Sequence, residues 1–322
     1  MVNPSGGSGA VAGLVHVAGN AVVDLLVRGA DPQTGPAADG WGSNTQMLSM
    51  PVETVLGGCG AAPAYILGKL GLPVQLNTNL GDDAVGSLVG GWLGEAAVEI
   101  VGSARAAATA VHLIHLSSEG RRSCYYAGDK VVWRRSLEAD TPEWFLASGY
   151  GAVDAEDVES LKEVFAALRR RGARIAFDPS PWFSGRATRE QMAALWPLVD
   201  GLIGTEEELG HWHGTETPDE LTARVLRTGP EWVVVKRGSQ GAAFADRRSG
   251  EDGRVGTKAL ERVNTVGAGD SFNARLLAGL CRGEELAQAV VGAVELATRV
   301  VGNGKGALGA FEGIEAATLP TR

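Results

Sequence analysis

Short apolar runs alternate with longer amphipathic stretches along most of this chain of 322 residues. The runs "LVHVAG" (14–19), "VQLNTN" (74–79), "RIAFDPS" (174–180), "DGLIGT" (200–205) and "EWVVVKRG" (231–238) read as strands. Between them, "APAYILGKLG" (62–71), "VGSLVGGWLGEAA" (85–97) and "VESLKEVFAALRRRG" (158–172) read as helices, and two more helical segments follow Asp270. Alternation of this kind predicts βαβ units, hence a mainly parallel sheet with helices on both faces. Continuous apolar stretches such as "VVVK" suit strands buried on both sides. Residues 21–56 and 109–135 break the rhythm. They read as strand pairs joined by polar turns and predict a small sheet beside the main one. The expected architecture is one α/β domain over residues 11–315, a three-layer sandwich with a small β lid, preceded by a flexible Gly/Ser-rich tail over residues 1–10.

Composition narrows the class of partner. Hydrophobic residues at 44% and charged residues at 21% suit a soluble globular chain, and no apolar run approaches the roughly 20 residues of a membrane span. The N-terminus lacks the basic and apolar regions of a signal peptide. Cys59, Cys124 and Cys281 are widely spaced and suggest neither a disulfide framework nor a zinc pair, so a cytoplasmic, reducing location is expected. A net charge of −9 argues against a general nucleic-acid binder, which needs a basic footprint, but not against a nucleotide whose phosphates are handled locally. His112 with His115, and His211 with His213, lack further partners at metal-ligand spacing.

The chemistry-bearing stretch is "NTVGAGDSFNARLLAGL" (264–280). If a helix begins near Asp270, the amides of Val266 to Asp270 and the positive end of the helix dipole converge on one spot, which suits a phosphate. A carboxylate there can accept a proton from an attacking hydroxyl, or it can simply cap its helix. These letters alone do not choose between the two.

Two longer stretches, "GGCGAAPAYILGKLG" (57–71) followed by "NLGDDAVG", and "NTVGAGDSFNARLL", resemble the two signatures of the ribokinase, or PfkB, family of carbohydrate kinases. "GNAVVD", "FDPSPW", "GTEEEL" and "VVVKRGSQGA" fall in the family's order and spacing, so the resemblance spans nearly the whole chain. It implies a kinase that moves the γ-phosphate of ATP onto a hydroxymethyl group of a sugar or sugar-like molecule. A nucleoside kinase of the same fold and a non-catalytic sugar- or nucleotide-binding sensor are the alternatives. The resemblance implies Asp270 as the general base, with the amides of Gly267, Ala268 and Gly269 as an anion hole. It places Asp24, Gly57 and Gly58 at the acceptor, Lys236, Gly238 and Gly241 beside the nucleotide, and Glu208 at Mg²⁺. A monovalent cation is a further option. The lid would close over the acceptor, and a homodimer through the lid is plausible on the same grounds.

Departures from the pattern bear mainly on the acceptor. Ala62 stands where the family has an Asn, and Ser180 and Trp182 replace the Asn and Arg of a "DPNxR" stretch. Losing that Arg counts against a sugar-acid acceptor, and losing both Asn residues predicts a less polar pocket. Thr205 replaces the Asn of an Asn-x-x-Glu motif, and Asn264 replaces an Asp. Arg275, in place of a small residue, lies about 140° around the helix from Asp270 and so predicts altered packing rather than altered chemistry. Trp41, Tyr125 and Tyr126 fall in the lid, where they can stack on a ring or pack against protein. Arg169 to Arg171, with Arg174, read as solvated charges at a helix end.

Overall fold

The computed structural model describes residues 10–29, 48–106, 108–116, 122–214, 217–258, 260 and 264–312. Residues 1–9 of the expected tail, the lid stretch 30–47 with Trp41, and 313–315 lie outside the described residues.

The larger sheet has nine strands. From edge to edge these are β13 (Asp252–Val255), β12 (Ala242–Asp246), β11 (Trp232–Lys236), β10 (Gly201–Thr205), β9 (Arg174–Asp178), β8 (Pro142–Ser148), β1 (Val11–Ala18), β4 (Val74–Gly81) and β5 (Val98–Ala106). Neighbours from β11 to β5 run parallel, and β12 and β13 turn back antiparallel. Successive side chains of a strand point to opposite faces, so each buried strand feeds two cores. Trp144 and Leu146 of β8 pack into the core that holds α1 (Ala61–Lys69), α7 (Ala268–Cys281) and α8 (Leu286–Asn303). Phe145 and Ala147 point the other way, into the core under α3 (Ala155–Arg170). Val234 and its neighbours Val233 and Val235 divide in the same manner, which is why "VVVK" is apolar throughout. Phe145, Phe165 and Phe177 are fully buried there, and burial of such a side chain contributes about 1.5–3 kcal/mol.

Several elements went unread in the sequence: β5, β8, β12, β13 and the helix α6 (Pro218–Leu226). β8 opens on Pro142, a position a strand tolerates, and β5 and β13 are edge strands whose polar side chains break the apolar pattern.

The lid forms as a separate four-stranded sheet in the order β3 (Glu53–Gly57), β2 (Val22–Arg28), β6 (Ala110–Leu116) and β7 (Arg122–Ala127). Two antiparallel pairs are joined by a parallel β2–β6 contact. Leu26, Val55 and Ile114 share a small core with Val266, which anchors the lid to the turn that precedes α7. The expected lid boundary at residue 135 is corrected to Ala127. Trp133 instead starts a 3-10 turn, is buried in the main domain, and donates its indole N–H to Asp157 of α3 at 3.1 Å.

The arginine cluster is also corrected, because three of its members tie elements together. Arg169 pairs with Asp200 at 3.0 Å, and Arg171 donates to the Leu137 carbonyl at 3.1 Å. Arg174 pairs with Glu143 and lies over the Trp144 ring, 4.4 Å from its centroid. Among the described residues no helix is long and apolar enough to cross a membrane.

Candidate active site

Asp178, Thr205 and Lys236 are the last residues of β9, β10 and β11, and all three face one cleft. Ligand sites of open parallel sheets gather at this carboxyl edge. The cleft has a volume of about 750 Å³ and is closed on one side by the lid. Asp24, Gly58, Glu208, Lys236, Gly238, Gly241, Gly267, Ala268, Gly269 and Asp270 all line it. Gly57, the remaining expected residue, lies beneath Asp24, and a Cβ there would collide with the Asp24 carboxylate.

The turn before α7 resolves the ambiguity at Asp270. The helix N-cap is Gly267, with φ of 76°, a left-handed conformation that glycine adopts without strain. Asp270 sits in the first turn and therefore is not the cap. Ala268 donates its N–H to the Thr265 carbonyl at 3.3 Å and Ser271 donates to Gly267. No protein acceptor among the described residues takes the N–H of Gly267, Gly269 or Asp270. Three free amides and the helix dipole thus meet at the cleft, with Ala268 partly engaged.

Asp270 is half-buried where it lines the cleft, crowded by protein. Burial pushes its pKa up to about 7; Lys236 opposes this, while the charges of Asp178 and Asp24 add to it. Glu208 is also raised, first by burial and then by Asp178, against the pull of Lys236 and of the Thr205 N–H. Burial acts to lower Lys236, yet Asp178, Glu208 and Asp270 together hold it above the ordinary lysine value. Its Nζ donates to Asp178 Oδ2 at 2.7 Å, and Asn273 Nδ2 donates to the same oxygen at 2.7 Å. Lys236 is therefore placed among the carboxylates next to the glycine turn, not along the outer edge of the cleft. Three carboxylates share one ammonium here, an arrangement short of positive charge.

On the lid side, Asp24 Oδ1 lies 3.1 Å from His112 Nδ1, its cross-strand neighbour in the β2–β6 ladder. Asn20 accepts the Cys59 N–H at 2.9 Å and turns its amide nitrogen toward the Tyr126 hydroxyl at 3.4 Å. The Cys59 thiol faces Asn20 Oδ1 and the Ser148 carbonyl, and burial with the nearby Asp270 charge pushes it up to about 12. Tyr126 and Tyr150 line the wall, with Trp182 packed against both rings.

A model described as pfkB family carbohydrate kinase matches residues 20–309. The chain belongs to that family. It is similar to 5-dehydro-2-deoxygluconokinase of Shouchella clausii, 28% identical over 72% of this chain and 76% of that protein. It is also similar to fructokinase of Klebsiella pneumoniae, 28% identical over 83% of this chain and 84% of that one. Among solved structures, a probable sugar kinase of Rhizobium etli superposes with a TM-score of 0.76 at 20% identity, covering 95% and 98% of the two chains. Arabidopsis thaliana ribokinase complexed with ribose and ATP does so with 0.70 at 22%, covering 92% and 94%. These two likenesses establish the ribokinase fold.

As a pfkB-family carbohydrate kinase, the chain is a phosphotransferase that acts on an alcohol group. The non-catalytic sensor alternative is set aside on that membership.

The departures from the family pattern now have places. Ala62 is buried within α1, away from the cleft, and Trp182 stands behind the tyrosine wall with Arg186 over its ring. Asn264 holds the turn by donating to the Gly304 carbonyl and accepting the Val266 N–H. Arg275 makes a two-pronged pair with Glu284 at 3.0 Å, a packing role as expected. Thr205 caps α5 (Glu206–His213): it accepts the Glu208 N–H, while Glu208 accepts the Thr205 N–H. Residues that sequence reasoning missed are Asp178, Asn273, Asn20 and His112. Asp178 is legible as the polar end of an apolar run, whereas the sequence offers His112 only the role of a metal ligand.

Proposed function

We propose that this kinase phosphorylates a hydroxymethyl group of a neutral sugar or sugar-like polyol, with Asp270 as general base. The observation that carries the reading is a carboxylate with pKa about 7, next to free amides at a helix N-terminus, in one cleft with Asp24. Asp24 and the backbone at Gly58 hold the acceptor hydroxyls, each of which needs a partner once stripped of water. The acceptor O–H gives its proton to Asp270, its oxygen bonds to the γ-phosphorus, and the bond from that phosphorus to the β-γ bridging oxygen breaks to release ADP. The amides of Gly267, Gly269 and Asp270, with Lys236, face the oxygens that carry charge in transit. Gly238 and Gly241 line the adjoining wall, where the nucleotide lies against backbone.

Glu208 fits a magnesium site: it is a hard oxygen donor, crowded by Asp178, in a cleft short of positive charge. Glu208, backed by Thr205, would hold the ion, which when bound neutralises phosphate oxygens.

The acceptor is assigned as neutral because the lid-side wall is built from Asp24, His112, Asn20 and two tyrosines, and no arginine is among the described residues that line the cleft. The aromatic wall also favours a second reading, a nucleoside acceptor whose base stacks on it. An ADP-release assay over neutral sugars, sugar acids and nucleosides tests both. Turnover of a neutral sugar is expected; turnover confined to sugar acids overturns the assignment, and turnover confined to nucleosides selects the second reading. Leu113 and Tyr125 are exposed on the lid face opposite the cleft and suit pairing of two copies, which light scattering would detect as a doubled mass.

A further inference from the structure

We propose, resting on the kinase reading above, that Asp178 is a positioning residue: it fixes the Lys236 ammonium beside the Gly267–Asp270 turn and thereby acts on transfer rate rather than substrate affinity. A free lysine head on a flexible four-carbon stem carries much rotamer entropy, so a charge that must meet a passing phosphoryl group gains from being held. Asp178 supplies that hold. Its Oδ2 accepts from Lys236 and Asn273 at 2.7 Å each, and its Oδ1 accepts the Ser180 N–H at 3.1 Å. The donors come from β11, from α7 and from the turn after β9, so three separately anchored elements fix one carboxylate.

The ammonium is located by its distance to the turn: a Cβ built on Gly269 would lie 3.8 Å from Nζ. One of its three N–H groups goes to Asp178, and among the described residues no acceptor takes the others, which are left for the cleft that Lys236 lines. The turn after β9 is strained. Ser180 has φ of 59°, a left-handed conformation that is costly for a non-glycine residue and gathers at functional sites. That turn places the Ser180 N–H on Asp178, and it lines the same cleft. A role in stability alone is a poor account, since buried ion pairs add little over apolar packing.

The test uses full-length protein with Asp178→Asn, Lys236→Met and the double variant. ADP release is followed with the best acceptor of the panel, and also without acceptor, where water takes the phosphoryl group. Each single variant is expected to lower kcat by about tenfold or more with both KM values within about threefold, and the double variant to lose no more than the worse single, as residues acting as a unit do. Asn273→Ala, which removes one of the three donors, is expected to lower kcat about threefold and serves if Asp178→Asn does not fold. The proposal is overturned by a wild-type kcat in Asp178→Asn, by a loss confined to KM, or by losses that multiply in the double variant. Activity restored by raised Mg²⁺ also overturns it, because Asp178 would then be a metal ligand. Asp270→Asn is the control: if it abolishes transfer while Asp178→Asn matches wild type, the base stands and the positioning role falls.

Discussion

The two ends of the cleft handle charge in opposite ways. At the lid, one carboxylate, Asp24, faces one imidazole, His112, and the other lining groups are uncharged: the Asn20 amide, the Cys59 thiol, two tyrosines, and aliphatic Val22 and Ile114. At the strand ends, Asp178, Glu208 and Asp270 crowd around Lys236, and Glu208, Asp270 and Lys236 are all shifted toward their protonated forms. The lid end is complete in the sense that its carboxylate already has a hydrogen-bonding partner in the protein before any ligand arrives. The strand end is incomplete, holding itself ready for a proton and for positive charge. Recognition of a neutral acceptor and transfer of a charged group thus call for different building materials: strand pairs with cross-strand hydrogen bonds in one case, and carboxylates pinned by a rigid core in the other.

The largest effect is expected where the incomplete end meets the acceptor. Asp270→Asn should lower kcat by at least about 10², read by ADP release. In the wild type, kcat/KM should fall as pH drops below about 7, because the proton then occupies the base, and the variant should lack that limb. Stability should move the other way. The folded state raises Asp270 from 3.8 to about 7, so its contribution is whole below pH 3.8 and is lost as pH rises through 7. Thermal melts should show the Asn variant a few degrees more stable than wild type at pH 8, with the gap closing below about pH 4. A variant no more stable at pH 8 would mean that the strand end carries no stored charge cost, and the contrast between the ends would fail.

Breaking the complete end should cost somewhat less and should appear in acceptor kinetics alone. Asp24→Ala removes charge-assisted hydrogen bonds worth about 1.5–3 kcal/mol each, so acceptor kcat/KM should fall about 10²-fold with the KM for ATP unchanged. Gly57→Ala is the subtler probe. Its new Cβ forces the Asp24 carboxylate aside without removing it, and about a tenfold loss in acceptor kcat/KM is expected. An equal rise in the KM for ATP in either variant would show that the two ends are not separable.

Legibility in the sequence followed the same division. The α/β sandwich could be read because strands buried on both faces are apolar throughout, as at Val233 to Val235, while β5, β12 and β13 escaped notice near the sheet edges. Asp270 and its glycine turn were readable because backbone conformation dictates residue type, as the left-handed Gly267 shows. The pairing of Asp178 with Asn273 was not, since it joins positions 95 residues apart and depends on where α7 comes to lie beside the end of β9. His112 was seen but given no acceptor role, because its partner Asp24 is fixed by the parallel β2–β6 register, which local pattern does not reveal. The lid boundary failed for a related reason: "VVWR" is strand-like locally, but Trp133 finds its partner in α3.

The smallest effect should come from Tyr126→Phe, and it bears on whether the lid wall acts through its ring or its hydroxyl. The hydroxyl is 3.4 Å from the Asn20 amide nitrogen, a long contact, and Asn20 is held independently by the Cys59 N–H at 2.9 Å. The ring keeps its edge contact with His112 and its tilted contact with Trp182 whether or not the oxygen is present. Acceptor kcat/KM is therefore expected to change by less than about threefold, in line with the modest net worth of one neutral hydrogen bond. A loss approaching that of Asp24→Ala would make the hydroxyl a direct acceptor contact. The wall would then be polar where it meets the acceptor, and the expectation of a less polar pocket would be lost with it.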